Sequence, residues 1–244
     1  MTFLTAEWRK LAFANYPVPA SVLADFLPAG TELDTWEGSP YVSLIGFLFQ
    51  DVRVLGVQVP FHVNFEEVNL RFYVRRKVDG SWRRGVVFVK EIVPKPAITF
   101  VANTLYGEAY ETRPMWHRWT ETATERRAQY QWRVGERWQT FAVSADRQAT
   151  EIPEGGPVEF ITEHYWGYSR SGDAKTTEYE VGHPRWQQYP VREHTIDVDF
   201  ALNYGPRFAF LNERSPDSVF LAEGSPIRIM GKKTLRFPTA PGIG

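Results

Sequence analysis

The chain has 244 residues, 43% of them hydrophobic and 23% charged, with 28 lysines and arginines against 29 aspartates and glutamates. The net charge of −1 gives no electrostatic ground for a nucleic-acid or anionic-membrane partner, and the composition is that of a folded chain, not a disordered one. Cysteine is absent, which excludes a disulfide framework, a thiolate nucleophile and cysteine-based zinc or iron–sulfur sites.

The length suits one β-rich domain over residues 1–244, and the 15% aromatic content suits wide sheet faces or an aromatic-lined cavity. The first 19 residues lack a basic region followed by an apolar core and a small-residue cleavage site, and no apolar run approaches a membrane span. The expected location is therefore the cytoplasm, with no membrane partner.

Leu11–Tyr16 reads as a strand stopped by Pro17-Val18-Pro19, because proline fixes φ and removes backbone donors. Val22, Leu23, Phe26 and Leu27 then fall at helical spacing between Pro19 and Pro28-Ala29-Gly30. Leu33–Trp36 and Tyr41–Phe49 read as a hairpin around Glu37-Gly38-Ser39-Pro40. Strands come next at Phe65–Val74 and Gly85–Val93, with a turn at Asp79-Gly80 that predicts antiparallel pairing.

Pro96–Leu105 breaks the alternation: Ala97, Ile98, Phe100, Val101 and Leu105 suit a helical face that ends near Gly107. Strands resume at Ala128–Val134, Trp138–Val143, Val158–Tyr168, Lys175–Val181, Thr195–Asn203 and Ser225–Met230, with a connecting loop over Asp146–Pro157. About ten strands must manage their edges, and a curled sheet or β-barrel does so while enclosing an interior.

One strand carries most of the chemical information. Read as a strand, Phe65–Val74 puts Val68, Leu70, Phe72 and Val74 on one face and Glu67, Asn69, Arg71 and Tyr73 on the other. An acid, an amide, a guanidinium and a phenol in one row form either a polar binding wall or a surface face with an intra-sheet ion pair.

Lys90 shares the face of Val86, Phe88 and Ile92 and is either a desolvated nucleophile or a lysine whose stem covers apolar surface. His183-Pro184-Arg185-Trp186 either caps a pocket mouth or anchors a loop. The histidines form no convincing metal box, and no phosphate-cradling glycine motif or nucleophile elbow occurs, so no metal or nucleotide cofactor is expected.

Four stretches, Trp8-Arg9-Lys10-Leu11-Ala12-Phe13, Tyr16-Pro17-Val18-Pro19, Leu27-Pro28-Ala29-Gly30 and Glu67-Val68-Asn69-Leu70-Arg71-Phe72-Tyr73-Val74, resemble the YqjF-like family, a domain of unknown function. The resemblance spans most of the chain. Thr162-Glu163-His164-Tyr165 looks like the family's Thr-Glu-Arg-Tyr type of segment with His164 departing from it, and His183-x-x-Trp186 its His-x-Pro-Trp type with Pro184 shifted.

That family is similar in fold to acetoacetate decarboxylase. The resemblance therefore implies an α+β, mainly antiparallel β, acetoacetate-decarboxylase-like curled sheet or β-barrel with a few short helices. In those enzymes an arginine near the N-terminus, a glutamate on a central strand and a Schiff-base lysine form the working site.

Aligning Phe26-Leu27-Pro28 puts Arg9 at the arginine, and aligning Phe65-Glu66-Glu67 puts Glu67 at the glutamate. Pro96-Ala97-Ile98 resembles the run ahead of the lysine, and the residues after it bring Ala109 or Tyr110 to the lysine's place. Without an amine there no imine forms, so a Schiff-base decarboxylase is not expected.

The resulting expectation is a pocket for a small oxo-acid or carbonyl ligand, with Glu67 and Arg9 as candidate catalytic groups. Asn69, Arg71, Tyr73, Tyr106, Tyr110, His183 and Trp186 are the candidate ligand contacts. Two other readings stay open: a lyase or hydrolase using Glu67 as general acid/base, and a structural module that self-associates into a homo-oligomer through a sheet edge or aromatic surface.

Overall fold

The structure, a computed structural model, describes residues 1–238. In chain order the first strands are β1 (Thr2–Pro17), β2 (Glu32–Leu33), β3 (Tyr41–Val54), β4 (Phe65–Val78), β5 (Ser81–Val93), β6 (Tyr110–Thr112), β7 (Met115–Glu121) and β8 (Glu125–Val134). The rest are β9 (Arg137–Asp146), β10 (Thr150–Glu151), β11 (Trp166–Gly172), β12 (Lys175–Gly182), β13 (Gln187–Tyr189), β14 (Val191–Asp197), β15 (Ser218–Met230) and β16 (Lys233–Arg236). Four short helices, α1 (Ala20–Leu23), α2 (Pro96–Val101), α3 (Pro157–Thr162) and α4 (Phe200–Tyr204), interrupt them. None of the helices among the described residues is long and apolar enough to cross a membrane.

Twelve strands form one large curled sheet whose spine runs β15-β1-β3-β4-β5-β11-β12, and β12 reaches back to pair with β15 at Val181 and Gly182. The pairing is antiparallel except where β5 meets β6 and β11. A second sheet of four strands, β14-β9-β8-β7, lies against it. The fold is thus α+β and mainly antiparallel, built on a curled sheet with a few short helices.

Alternation along β4 decides where both cores sit. Val68, Leu70, Phe72 and Val74 face the second sheet and pack in one cluster with Tyr130, Trp132 and Phe141. Each such side chain, fully removed from water, stabilises the fold by about 1.5–3 kcal/mol. Phe200, Tyr204 and Phe208 extend that cluster, and the Trp132 indole donates to the Asn203 side chain at 2.6 Å. Within the curl, Phe13, Ile45, Phe47, Tyr73, Val86, Trp186 and Phe220 form a second cluster around the polar row of β4.

Several local expectations change. Leu33–Trp36 does not form a hairpin with β3: β2 pairs with β4, Glu32 opposite Arg75, because the chain between Trp36 and Ser39 closes on itself first. Residues 158–162 are helical, since Pro157 at the first turn starts α3, and the strand begins only at Trp166. Residues 200–203 belong to α4, whose N-cap Asp199 accepts from Leu202 N; the strand before it ends at Asp197. Strand β7, which the residue pattern does not predict, forms the edge of the second sheet.

The two sheets are in tight contact at Gly46, where a Cβ would stand 2.5 Å from the Tyr130 ring. Tyr130 is fixed from the other end by its hydroxyl, which donates to the Lys10 carbonyl at 2.6 Å. Gly46→Val therefore forces the sheets apart, and a loss of about 3 kcal/mol or more is expected in urea unfolding, with an unperturbed midpoint counting against this packing.

Candidate functional site

The site starts from a register. Glu67, Asn69 and Arg71 lie opposite Phe47, Ile45 and Ser43 of β3, so all three point into the curl. On the other side β5 carries one extra residue: Leu70 pairs with Lys90 but Arg71 pairs with Phe88, which leaves Val89 as a β-bulge.

Past the bulge every β5 side chain changes face. Glu91 consequently stands inward beside Asn69, whereas Lys90 turns away from Val86 and Phe88 and pairs with Glu111 at 2.8 Å. The expectation that Lys90 shares their face is overturned by this single residue.

Strand β6 adds the next column, with Tyr110 beside Glu91. Helix α2 runs on as a π-helical turn, Ala102–Tyr106, and ends at Gly107 in the left-handed region with φ of 67°. Asn103 then clamps the returning strand, its amide donating to the Tyr110 carbonyl at 3.0 Å and its carbonyl accepting from Tyr110 N at 2.8 Å.

Across the curl, β12 supplies Tyr179, whose hydroxyl donates to Glu108 at 2.8 Å. Gly167 lies opposite it on β11, and a Cβ there would be 2.1 Å from the Tyr179 ring. Only glycine lets this phenol reach the acid.

Two adjoining cavities result. One of ≈ 60 Å³ is polar on one side: Glu67, Asn69, Arg71, Glu91, Tyr110, His164, His183 and Trp186 are among its lining residues. The other, of ≈ 190 Å³, is mostly apolar and includes Tyr106, Glu108 and Tyr110.

Seven of the residues expected from sequence therefore come together around these spaces. Arg9 and Tyr73 do not. The Arg9 guanidinium lies outside both linings, held by Glu7 and the Gly224 carbonyl, because Trp8 takes the inward position on β1. Tyr73 is fully buried against the Ser43 hydroxyl at 2.6 Å and supports the site from behind.

Glu67 is 2% exposed; it accepts from the Asn69 amide at 2.9 Å and from the Tyr110 hydroxyl at 3.1 Å. Burial outweighs these bonds and the nearby Arg71 charge, and raises its pKa to about 7. Glu91, equally buried, is raised well above the usual carboxylate range by burial and by the charges of Glu108 and Glu67. Glu108 is raised to about 8, chiefly by burial, with the Tyr179 bond opposing. Three acids so close cannot all ionise at neutral pH, which is the condition for carboxyl groups that give and take protons there.

Arg71 is the counterweight. Its guanidinium lies 5.6 Å from the Phe13 ring and 5.5 Å from that of Tyr73, and its terminal nitrogen donates to the Ile161 carbonyl at 3.3 Å. Among the described residues it forms no ion pair, and its Nε is buried without a partner. Burying a cation in this way is costly unless an anion completes it.

Other buried polar atoms converge on the same space. His164 Nε2 meets the Asp34 carboxylate at 3.1 Å; since the carboxylate only accepts, Nδ1 keeps a lone pair, and that atom is buried and unpartnered. Burial lowers the His164 pKa to about 4, so the ring is neutral at pH 7. Asn69 Oδ1, Glu91 Oε2 and Trp8 Nε1 are likewise unpartnered.

The stacked pair His183 and Trp186, 4.4 Å between ring centres, closes the side next to Trp8. Among the described residues no group of three His, Asp or Glu side chains is arranged to hold a metal ion. Neither lining contains a lysine.

Sequence reasoning missed Glu91, because period-two alternation cannot register a bulge. It also missed Glu108, Tyr179 and Trp8, whose partners lie on distant strands. The sequence signal for the first two was present only as acid and phenol flanking Gly107 and within β12.

The family DUF2071, described as an uncharacterized conserved protein, matches residues 5–226. The uncharacterized protein YqjF of Bacillus subtilis is 37% identical over 71 residues, a match that spans 29% of this chain and 29% of that relative. Among solved structures, an acetoacetate decarboxylase from Legionella pneumophila has a TM-score of 0.66 at 10% identity, covering 98% of this chain and 89% of that one. The enduracididine biosynthesis enzyme MppR, complexed with pyruvate, has a TM-score of 0.65 at 13% identity over 97% and 92%. An acetoacetate decarboxylase-like enzyme from Sphingomonas wittichii has 0.59 at 14% identity over 98% and 95%. At such identities the likeness is one of fold.

The raised acids set a pH dependence. In the unfolded chain each carboxyl titrates near 4.5, and folding holds its proton to about pH 7 for Glu67 and about pH 8 for Glu108. The folded state therefore binds more protons in this window, and stability falls as pH rises from about 5 to 9. The melting temperature of the wild type should drop across that range, and Glu91→Gln should flatten the decline by on the order of 5 °C; parallel curves for the two proteins would rule out the acid cluster as the cause.

Proposed function

The chain belongs to the DUF2071 family of uncharacterized conserved proteins, and from the chemistry of its inner cavity we propose that it binds a small oxo-acid or related carbonyl compound. The observation that carries this reading is Arg71: a buried guanidinium, set near the Phe13 and Tyr73 rings and lacking a carboxylate partner among the described residues, in the same cavity as a buried acid. A ligand carboxylate supplies the missing anion through charge-assisted hydrogen bonds. The carbonyl oxygen then lies toward Glu67, Tyr110 and Glu91; a protonated carboxyl donates to it, and Tyr110 does so once a protonated Glu67 donates back to the phenol oxygen.

Two features of the relatives agree with this chemistry. A neighbour of the same fold is complexed with pyruvate, a 2-oxo acid. Others are acetoacetate decarboxylase and a decarboxylase-like enzyme. In this chain Ala109 and Tyr110 occupy the stretch where the resemblance calls for a lysine, and the cavity linings contain none. The proposed chemistry is thus general acid/base: Glu67, poised near pH 7, takes a proton from the carbon next to the carbonyl, the electron pair moves onto the carbonyl oxygen where Tyr110 donates to it, and the proton then returns to carbon.

Calorimetry and chemical trapping test this chemistry. Pyruvate and acetoacetate should bind the wild type in calorimetry, and Arg71→Met should weaken binding at least about tenfold while the fold is kept, since a charge-assisted pair contributes about 1.5–3 kcal/mol. Unchanged affinity in that variant would remove the carboxylate contact. Borohydride added to the complex should leave the mass of the protein unchanged; a reduced adduct on Lys90 or any other lysine would mean that an imine forms after all. Glu67→Gln should retain binding and abolish any turnover found with these compounds.

A further inference from the structure

The chamber around Arg71, ≈ 60 Å³, accommodates a carboxylate and a carbonyl but little more. It does not end in a closed wall. Phe49, Glu91, Tyr110, Tyr179 and Ile229 line both this chamber and the ≈ 190 Å³ cavity beside it.

The second cavity has a different character. Away from Glu91 and Glu108 its walls are Phe3, Leu4, Val52, Val54, Ile98 and Val101 among others, and neither lysine nor arginine lines it. Val59 and Val101, 45% and 40% exposed, carry the apolar lining out to its mouth. An apolar cavity of about 150 Å³ is large enough to take benzene. A space this size beside the charged chamber has no use for a three-carbon acid.

We propose that the ligand is an amphiphilic oxo-acid whose carboxylate lies at Arg71 and whose apolar tail, roughly six to eight carbons long, fills the cavity between Phe3 and Val101. The orientation is set by charge. Arg71 is the only arginine or lysine lining either cavity among the described residues, so the carboxylate goes to its end and the apolar walls of the other cavity take the tail. The carbonyl of such a ligand then sits at the junction, against Tyr110 and Glu91, between the head that is recognised by charge and the tail that is recognised by burial.

This inference rests on the oxo-acid reading, and a chain-length series separates the two. Pyruvate, 2-oxohexanoate, 2-oxooctanoate and 2-oxodecanoate are titrated into the full chain by calorimetry. Affinity should rise about three- to fourfold per added methylene until the tail reaches roughly eight carbons, then level off or fall. Pyruvate binding with no gain for longer acids would overturn the tail and leave the oxo-acid reading standing; failure of every length would overturn both.

Ala102→Phe, which places a ring inside the apolar cavity, should cost 2-oxooctanoate at least about tenfold more affinity than it costs pyruvate. Ala97→Phe, at an exposed position of the same lining, serves if the first variant does not fold. Equal losses for both ligands in the variant that folds would place the tail elsewhere and overturn the proposal.

Discussion

Strands β4 and β5 are buried on both faces, and the extra residue at Val89 is the constraint on which the interior depends. Because side chains alternate with period two, one inserted residue exchanges the faces of everything beyond it. Without the bulge Lys90 would stand beside Asn69 and Glu91 would face the second sheet. With it, the cavity receives a carboxyl group instead of an amine. The same local event thus decides the charge of the site and the kind of chemistry open to it.

The cost of this arrangement is electrostatic. Two buried acids, a guanidinium with no ion pair among the described residues and several unpartnered polar atoms line one small cavity, with Glu108 in the cavity beside it. Each such group is unfavourable in a low-dielectric interior, and a sheet optimised only for stability would replace them with packed apolar residues. Their surroundings instead hold them in place: Asn69 bonds Glu67, Tyr179 bonds Glu108, rings flank Arg71, and Asp34 orients His164. Groups locked in orientation but left with free lone pairs or protons are what recognition of a polar ligand requires.

The fold is shared with acetoacetate decarboxylase across nearly the whole chain, yet sequence identity to the solved examples is only 10–14%. What the likeness shows at that distance is the fold. Fold alone does not carry activity. In this chain the segment after α2 brings Glu108 and Tyr110 into the cavity lining, and neither of the residues that the resemblance aligns with the amine, Ala109 or Tyr110, is a lysine. Arg9 illustrates the same point from the other direction. Its position in the aligned string matches, but β1 presents Trp8 inward and leaves Arg9 to pair with Glu7.

Local patterns in the chain determined a good deal by themselves. Alternation in residues 65–74 identified a strand with one apolar and one polar face, and Glu67, Asn69 and Arg71 do share a chamber. Proline and glycine placed the helix at residues 96–105 and the turn at Asp79-Gly80, because those residues restrict or free φ locally. Tertiary structure alone decided the rest. Whether the polar face of β4 meets water or a cavity depends on strands more than a hundred residues away. The bulge at Val89 exists only in a pair of strands, and Glu108 finds Tyr179 only because Gly167 leaves room for its ring. These are contacts between segments far apart in the chain, and no local propensity encodes them.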